Sequence, residues 1–206
     1  MARQNRVTPF GDLVADPARG SLMGNRGCLH DERERIVRHH QRRRWIACAL
    51  AFRGRRRDVM PPGRYTALFF LDEATALAAG HRPCFECRRA DAERFRAAWA
   101  AGNGLPGRPG ADDIDGVLDA ERLDGRAGKR TWPARAGELP DGAMIRDGDL
   151  ALAVAGDALL SWSPGGYGPP RARPAADAIV EVLTPRSTVR AIAAGYGAGL
   201  ASAWPR

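Results

Sequence analysis

Residues 65–88, YTALFFLDEATALAAGHRPCFECR, constrain this chain more than any other stretch. The apolar run RYTALFF (64–70) reads as a strand. Asp72 stands where an N-cap carboxylate belongs, ahead of a short helix over EATALAA, and Gly80 supplies the positive-φ stop. Pro83 then stiffens the approach to Cys84 and Cys87, the one close cysteine pair in the sequence. A Cys-x-x-Cys knuckle aims two thiolates at one ion while backbone N–H groups stabilise the sulfur charge, and Zn2+ favours four such ligands in a tetrahedron. One pair is half a site. Cys48 is the candidate third ligand, because the alternation of WIACALAF (45–52) makes it a strand residue upstream of the knuckle. Cys28 is the candidate fourth, with His30 as its alternate. The pair also fits a redox couple or two inert thiols, although no βαβ pattern surrounds it. A single cysteine such as Cys48 on an apolar strand face also fits a small core residue.

The residues Phe69, Phe70, Glu73, Ala74, Ala78, Ala79, Gly80, Arg82, Pro83, Cys84 and Cys87 resemble the metal-binding domain at the N-terminus of the bacterial Ada alkylation-repair proteins. The resemblance covers residues 65–88 only. It implies Zn2+ at the knuckle and a nucleic-acid partner, DNA in the first place, in repair or processing. In that family a close upstream cysteine pair completes the site, and one of its thiols accepts a methyl group from DNA phosphotriesters. Here no such pair exists, so methyl acceptance is not expected.

Charge separates the two halves. Residues 1–100 hold 20 basic and 11 acidic side chains, whereas residues 101–206 hold 12 and 13. Lys129 is the single lysine among the 32 basic residues. A G- and C-rich genome would favour arginine over lysine, but it would not segregate the charge. Arginine suits bidentate phosphate contacts. The runs RHHQRRR (38–44) and RGRRR (53–57) flank the strand at 45–52. With the arginines beside the knuckle they give the candidate phosphate-binding set Arg42, Arg43, Arg44, Arg55, Arg56, Arg57, Arg82 and Arg88. Such runs are also what solvated loops look like.

The stretch AGNGLPGRPGADD (101–113) is the clearest breaker. It is a linker or a long surface loop, and it places a boundary within 101–111. On one side lies a basic zinc-binding module, 1–102; on the other a β-rich module, 112–206, unless the two pack as one domain. Asp91 is placed to cap a helix whose Phe95, Ala98 and Trp99 share a face. DERERIVRHHQRRR (31–44) fits a solvated helix or a long hairpin turn. In the second half, RDGD (146–149) and GD (156–157) split apolar runs into a meander. AIVEVL (178–183) is a further strand, and Thr184 with Pro185 opens a helix over TPRSTVRAIAAGY. Trp162 and Tyr167 in SWSPGGYG fit core aromatics around a turn better than a base-stacking platform. The expected class is α+β: a zinc-knuckle module of short strands and helices, plus a small antiparallel β module with flanking helices.

The chain has no apolar run of about 18 residues, so no membrane span is expected. Its first residues lack an apolar signal core, so a cytoplasmic protein is expected. All four histidines precede residue 82 and no G-x-S-x-G elbow occurs, which argues against a Ser–His hydrolase. His30, Asp31 and His81 are the candidate acid–base groups. Three readings of function follow: a zinc-containing nucleic-acid-binding protein, an enzyme acting on nucleic acid or a nucleotide through His30 or His81 near the metal, or a protein-interaction module.

Overall fold

The computed structural model describes residues 2–54, 58–125 and 128–201, and among these the fold is α+β. A mixed sheet in the order β2-β1-β5-β3-β4-β6 is built from β1 (Gln4–Val7), β2 (Leu13–Ala15), β3 (Leu22–Asn25), β4 (Ile46–Ala49), β5 (Leu68–Phe70) and β6 (Arg82–Pro83). β1–β5 and β4–β6 pair parallel, and the other neighbours pair antiparallel. Helices α1 (Glu73–Ala78), α2 (Arg89–Gly102) and α3 (Ala111–Arg122) follow, then a two-strand ribbon of β7 (Leu123–Asp124) and β8 (Gly128–Lys129). A second, fully antiparallel sheet has the order β13-β12-β11-β10-β14-β9. It comprises β9 (Trp132–Arg135), β10 (Met144–Asp147), β11 (Leu150–Ala155), β12 (Ala158–Ser163), β13 (Gly166–Ala172) and β14 (Ile179–Val182), and α4 (Arg186–Ala193) ends it.

The expected meander is β10 to β13. Asp147 pairs with Leu150, Ala155 with Ala158 and Ser163 with Gly166, so each connection is a two-residue turn. Gly148 and Gly156 take φ of 60° and 56° there, the left-handed values such tight hairpins need. The 31–44 stretch is the long connection of the β3–β4 hairpin rather than a helix. It is pinned by backbone bonds such as Val37 N–H to Leu29 C=O and Gln41 N–H to Arg26 C=O. β4 and β5 are shorter than the apolar runs that announced them, and Leu50 is already half exposed.

α1 lies between the layers, with Ala74 to Ala78 all buried. Ala74 and Ala78 meet Met144, Ala153 and Leu160 of the second sheet. Ala76 and Ala79 meet Val7, Ala47 and Leu68 of the first. Leu77 meets Phe95 and Trp99 of α2, Ile114 and Leu118 of α3, and Ile192 of α4. Residues on both sides of the 101–111 stretch therefore share one cluster. Gly102 is required where α2 meets α4, since a Cβ there would lie 2.2 Å from the Arg190 carbonyl oxygen.

Asp72 caps α1 as expected. Its Oδ1 accepts from the Thr75 N–H and hydroxyl at 2.8 and 2.7 Å, and its Oδ2 from the Tyr167 hydroxyl and Ala201 N–H at 2.8 and 2.7 Å. Trp162 Nε1 donates to Thr75 Oγ1, so both aromatics of SWSPGGYG serve the core. Two other caps differ from expectation. α2 starts behind Arg88, and Asp91, inside its first turn, instead receives Arg88 and Arg94. Thr184 turns its hydroxyl to the Met144 N–H, while Glu121 of α3 accepts from the Ser187 N–H at the start of α4. Neighbours three residues away claimed Asp91, and a distant N–H claimed Thr184.

Asp72→Ala should lower unfolding free energy by about 3 kcal/mol, combining a lost cap with a stranded buried hydroxyl. Tyr167→Phe should cost about 1 kcal/mol. Urea denaturation of the two variants against wild type checks both values.

Candidate metal centre

The parallel pairing of β4 with β6 brings three cysteines together. Ala47 sits opposite Pro83, and the Cys84 N–H donates to the Ala47 carbonyl at 2.9 Å, so Cys48 and Cys84 follow side by side. The turn after β6 returns Cys87, whose sulfur accepts from the Ala49 N–H at 3.4 Å. The Glu86 N–H reaches the Cys84 sulfur at 3.4 Å. The three Sγ atoms lie within 4.8 Å of one another. Met23, Ala67, Ile46, Tyr65 and Phe69 pack around them. All four cysteines are free thiols.

Electrostatics prepare the group for a cation. The Cys84 thiol is lowered to about 5, chiefly by a hydrogen bond from Cys48 and, against the cost of burial, by the N–H groups of Cys87 and Glu86. Cys48 is pushed up by that same hydrogen bond and by burial. One thiolate, Cys84, is therefore easily formed, while Cys48 resists losing its proton without a cation beside it. Three sulfurs with this spacing could hold a metal ion.

The remaining ligand candidates lie elsewhere. Cys28 Sγ faces the His30 carbonyl at 3.6 Å, and its N–H is held by Gln41. His30 is buried with Nδ1 2.6 Å from Thr66 Oγ1, and it forms a bridge with Ile36. The long β3–β4 connection turns both residues away from the knuckle. Neither Cys28 nor His30 joins the cysteine group, which contains no fourth His, Cys, Asp or Glu among the described residues.

The acid–base candidates do not converge on it either. Asp31 is a turn former whose carboxylate accepts from the Arg33 and Arg35 N–H groups and pairs with the Arg35 side chain. His81 is fully buried between Trp45 and Phe70, with ring centroids 5.1 and 4.6 Å away, and Arg26 Nε donates to its Nε2 at 3.2 Å. Burial and the charges of Arg26 and Arg122 hold the imidazole well below its ordinary pKa, so it stays neutral.

The arginines divide. Arg42, Arg43 and Arg44 are exposed, and Arg44 pairs with Asp112 at 3.0 Å. Arg55, Arg56 and Arg57 lie outside the described residues. Arg82 is buried and doubly bonded to Asp115 at 3.0 and 2.6 Å. Arg88 bridges Glu73 and Asp91. Arg82 and Arg88 thus act as internal ties, the first to the buried Asp115 and the second to the partly buried Glu73 and Asp91. Beside the knuckle, Asn25, Arg42, Arg44, Arg82, Phe85 and Asp112 line a cleft of about 550 Å3, with Arg82 lying 5.2 Å from the Phe85 ring.

A second cluster escaped the sequence reading. Arg26 and Arg122, both fully buried, lie 3.8 and 4.0 Å from the Trp45 ring, and Lys129 lies in electrostatic reach of both. Its signal was the isolation of one lysine among so many arginines.

No helix among the described residues is long and apolar enough to cross a membrane. No protein-family model, curated protein or solved structure matches the chain.

Protein purified without chelator should carry about one equivalent of metal per chain. Cys48→Ser, Cys84→Ser and Cys87→Ser should each lose it, while Cys28→Ser should retain it. Elemental analysis with thermal melts separates these outcomes.

Proposed function

We propose that Cys48, Cys84 and Cys87 hold Zn2+ and that the protein binds nucleic acid through the cleft beside that centre. The observation that carries this reading is the composition of the cleft. Arg42 is exposed with no carboxylate partner among the described residues, and Arg44 is held only by an exposed Asp112. Phe85, between the two knuckle cysteines, offers an aromatic ring at the same cleft. Guanidinium groups neutralise phosphate, and an aromatic face accepts a stacked base whatever its identity. Thiolate donors with N–H···S bonds suit Zn2+, as they do other thiophilic ions. The likeness of residues 65–88 to the Ada-type domain supports both halves of the proposal.

In this reading the ion ties β4 to the start of α2, so Phe85 is held between two ligands and faces the cleft as a fixed platform. A second reading, an enzyme acting on nucleic acid or a nucleotide, draws support from the ligand count. Three protein ligands leave one position of a tetrahedral ion to a non-protein group, the pattern of catalytic zinc. His30 and His81 do not serve that enzyme, because neither lies with the cysteines.

Binding to a single-stranded oligonucleotide should fall steeply with salt. Replacing Arg42 and Arg44 by Gln should reduce the log–log salt slope by about two if both touch phosphate. Phe85→Ala should weaken binding by about 1–3 kcal/mol with the slope unchanged, since stacking releases no counterions. A salt titration of the three proteins on one oligonucleotide tests this. Absence of binding by wild type at about 50 mM salt, where phosphate attraction is strong, overturns the reading.

A further inference from the structure

The cluster around Trp45 carries positive charge that the protein balances only in part, through Asp119 on Arg122 and a more distant Asp12. Arg26 and Arg122 are fully buried and stack on the same indole. Arg26 donates to His81 Nε2 and, through Nη1, to the Gly11 carbonyl at 2.8 Å, leaving Nη2 buried without an acceptor. Arg122 donates to the carbonyls of Gly80 and Arg43 and to Asp119, and its Nε also lacks an acceptor. Lys129, half-buried in β8, donates to the Ala78 carbonyl at the end of α1.

The charged and titratable groups that face these three are Asp12 from the β1–β2 turn, His39 and His40 from the β3–β4 connection, His81, and Asp115 and Asp119 from α3. Asp115 is committed to Arg82. Asp119 is bonded to Arg122 and partly exposed. Asp12 is exposed and reaches the others only through space. His81 is neutral. Cations removed from water cost several kcal/mol each unless paired, and mutual repulsion adds to that cost. Burial and the two guanidiniums lower Lys129 to about 7, and burial lowers Arg122 to about 10.

We propose that Arg26, Lys129 and Arg122 form a binding site for a phosphoryl-type oxyanion, seated against Arg26 Nη2 on the side of Gly11. An anion there supplies the acceptor that Arg26 Nη2 lacks and the negative charge that the cluster lacks. Gly11 keeps that side free of a side chain: a Cβ there would lie 3.9 Å from Arg26 Nη2. The site is independent of the cleft at Phe85, and its oxyanion is either free phosphate or a phosphate of a nucleic acid.

Because Lys129 is the only lysine, protein labelled with 13C-lysine gives one side-chain Cε resonance. Inorganic phosphate should shift it saturably, and chloride at matched ionic strength should not. The titration midpoint of Lys129 should rise from about 7, since an adjacent anion favours the charged amine. Arg26→Gln should abolish the saturable shift. Lys129→Gln, which keeps a donor for the Ala78 carbonyl, should raise the phosphate Kd read from thermal melts about tenfold, the worth of one charged hydrogen bond. A 5′-phosphorylated oligonucleotide and its unphosphorylated counterpart complete the experiment. Saturation by phosphate with no oligonucleotide binding supports this site and overturns the nucleic-acid reading. Oligonucleotide binding with an unmoved Lys129 resonance, and no saturable response to phosphate, overturns this site alone.

Discussion

The Asp72 carboxylate is the contact on which the rest of the structure depends. α1 has six residues, too few to persist alone, because nucleation fixes several residues before it yields one hydrogen bond. Its first turn exists because Asp72 accepts its orphan N–H. The other oxygen of that carboxylate accepts from Tyr167 in the second sheet and Ala201 near the end of the described chain. One side chain thus fixes both the start of the central helix and the docking of the second sheet upon it. The alanines of α1 follow from its position, since larger side chains would push apart the layers that close on it from three directions. Gly80 then turns the chain sharply, with φ of 86°, and a Cβ there would come within 2.8 Å of Arg122. The knuckle begins four residues later, so the cap also sets where Cys84 can be.

Charge in this protein is used inside as much as outside. The basic surplus of the first hundred residues reads as a surface property, but Arg26, Arg82 and Arg88 are spent on internal work. Arg82 is tied to Asp115 of α3, and Arg88 to Glu73 of α1 and Asp91 of α2. What remains outward includes Arg42, Arg43 and Arg44 on the β3–β4 connection. A simple charge count therefore overstates the exposed field and misses a buried one, since Arg26 and Arg122 share a single indole and have few carboxylates near them.

Local chemistry was legible in the sequence and distant chemistry was not. The Asp72 cap on α1, the two Gly-Asp turns and the turn that brings Cys84 and Cys87 together each span four residues or fewer, and each stands as the sequence implied. Cys48 was legible as a strand residue upstream of the knuckle; that it lies beside Cys84 depends on the parallel β4–β6 pairing, which no periodicity encodes. Cys28 and His30 were legible as ligand types, but the path of a long irregular connection decides where they point. Asp91 and Thr184 stand where caps stand, and lost that role to Arg88 and to the Met144 N–H. Arg122 gave no signal, because its neighbours Trp45, Gly80 and Arg43 come from distant segments.

The two clusters share one short segment. His81, Arg82, Pro83 and Cys84 are consecutive: the first meets Arg26 and Trp45, the second binds Asp115, the third pairs with Ala47, and the fourth belongs to the cysteine group. β6 is two residues long, so a displacement of Cys84 cannot be absorbed before it reaches His81. Trp45 and Cys48 repeat the coupling along the neighbouring segment, with two residues between the shared indole and the sulfur. An ion drawn in by the three thiols would set the spacing of β4 and β6, and with it the distance between the Trp45 ring and the guanidinium groups that lie on it. The cysteine group and the cationic cluster are thus two ends of one pair of chain segments, joined by backbone hydrogen bonds rather than by any side chain they have in common.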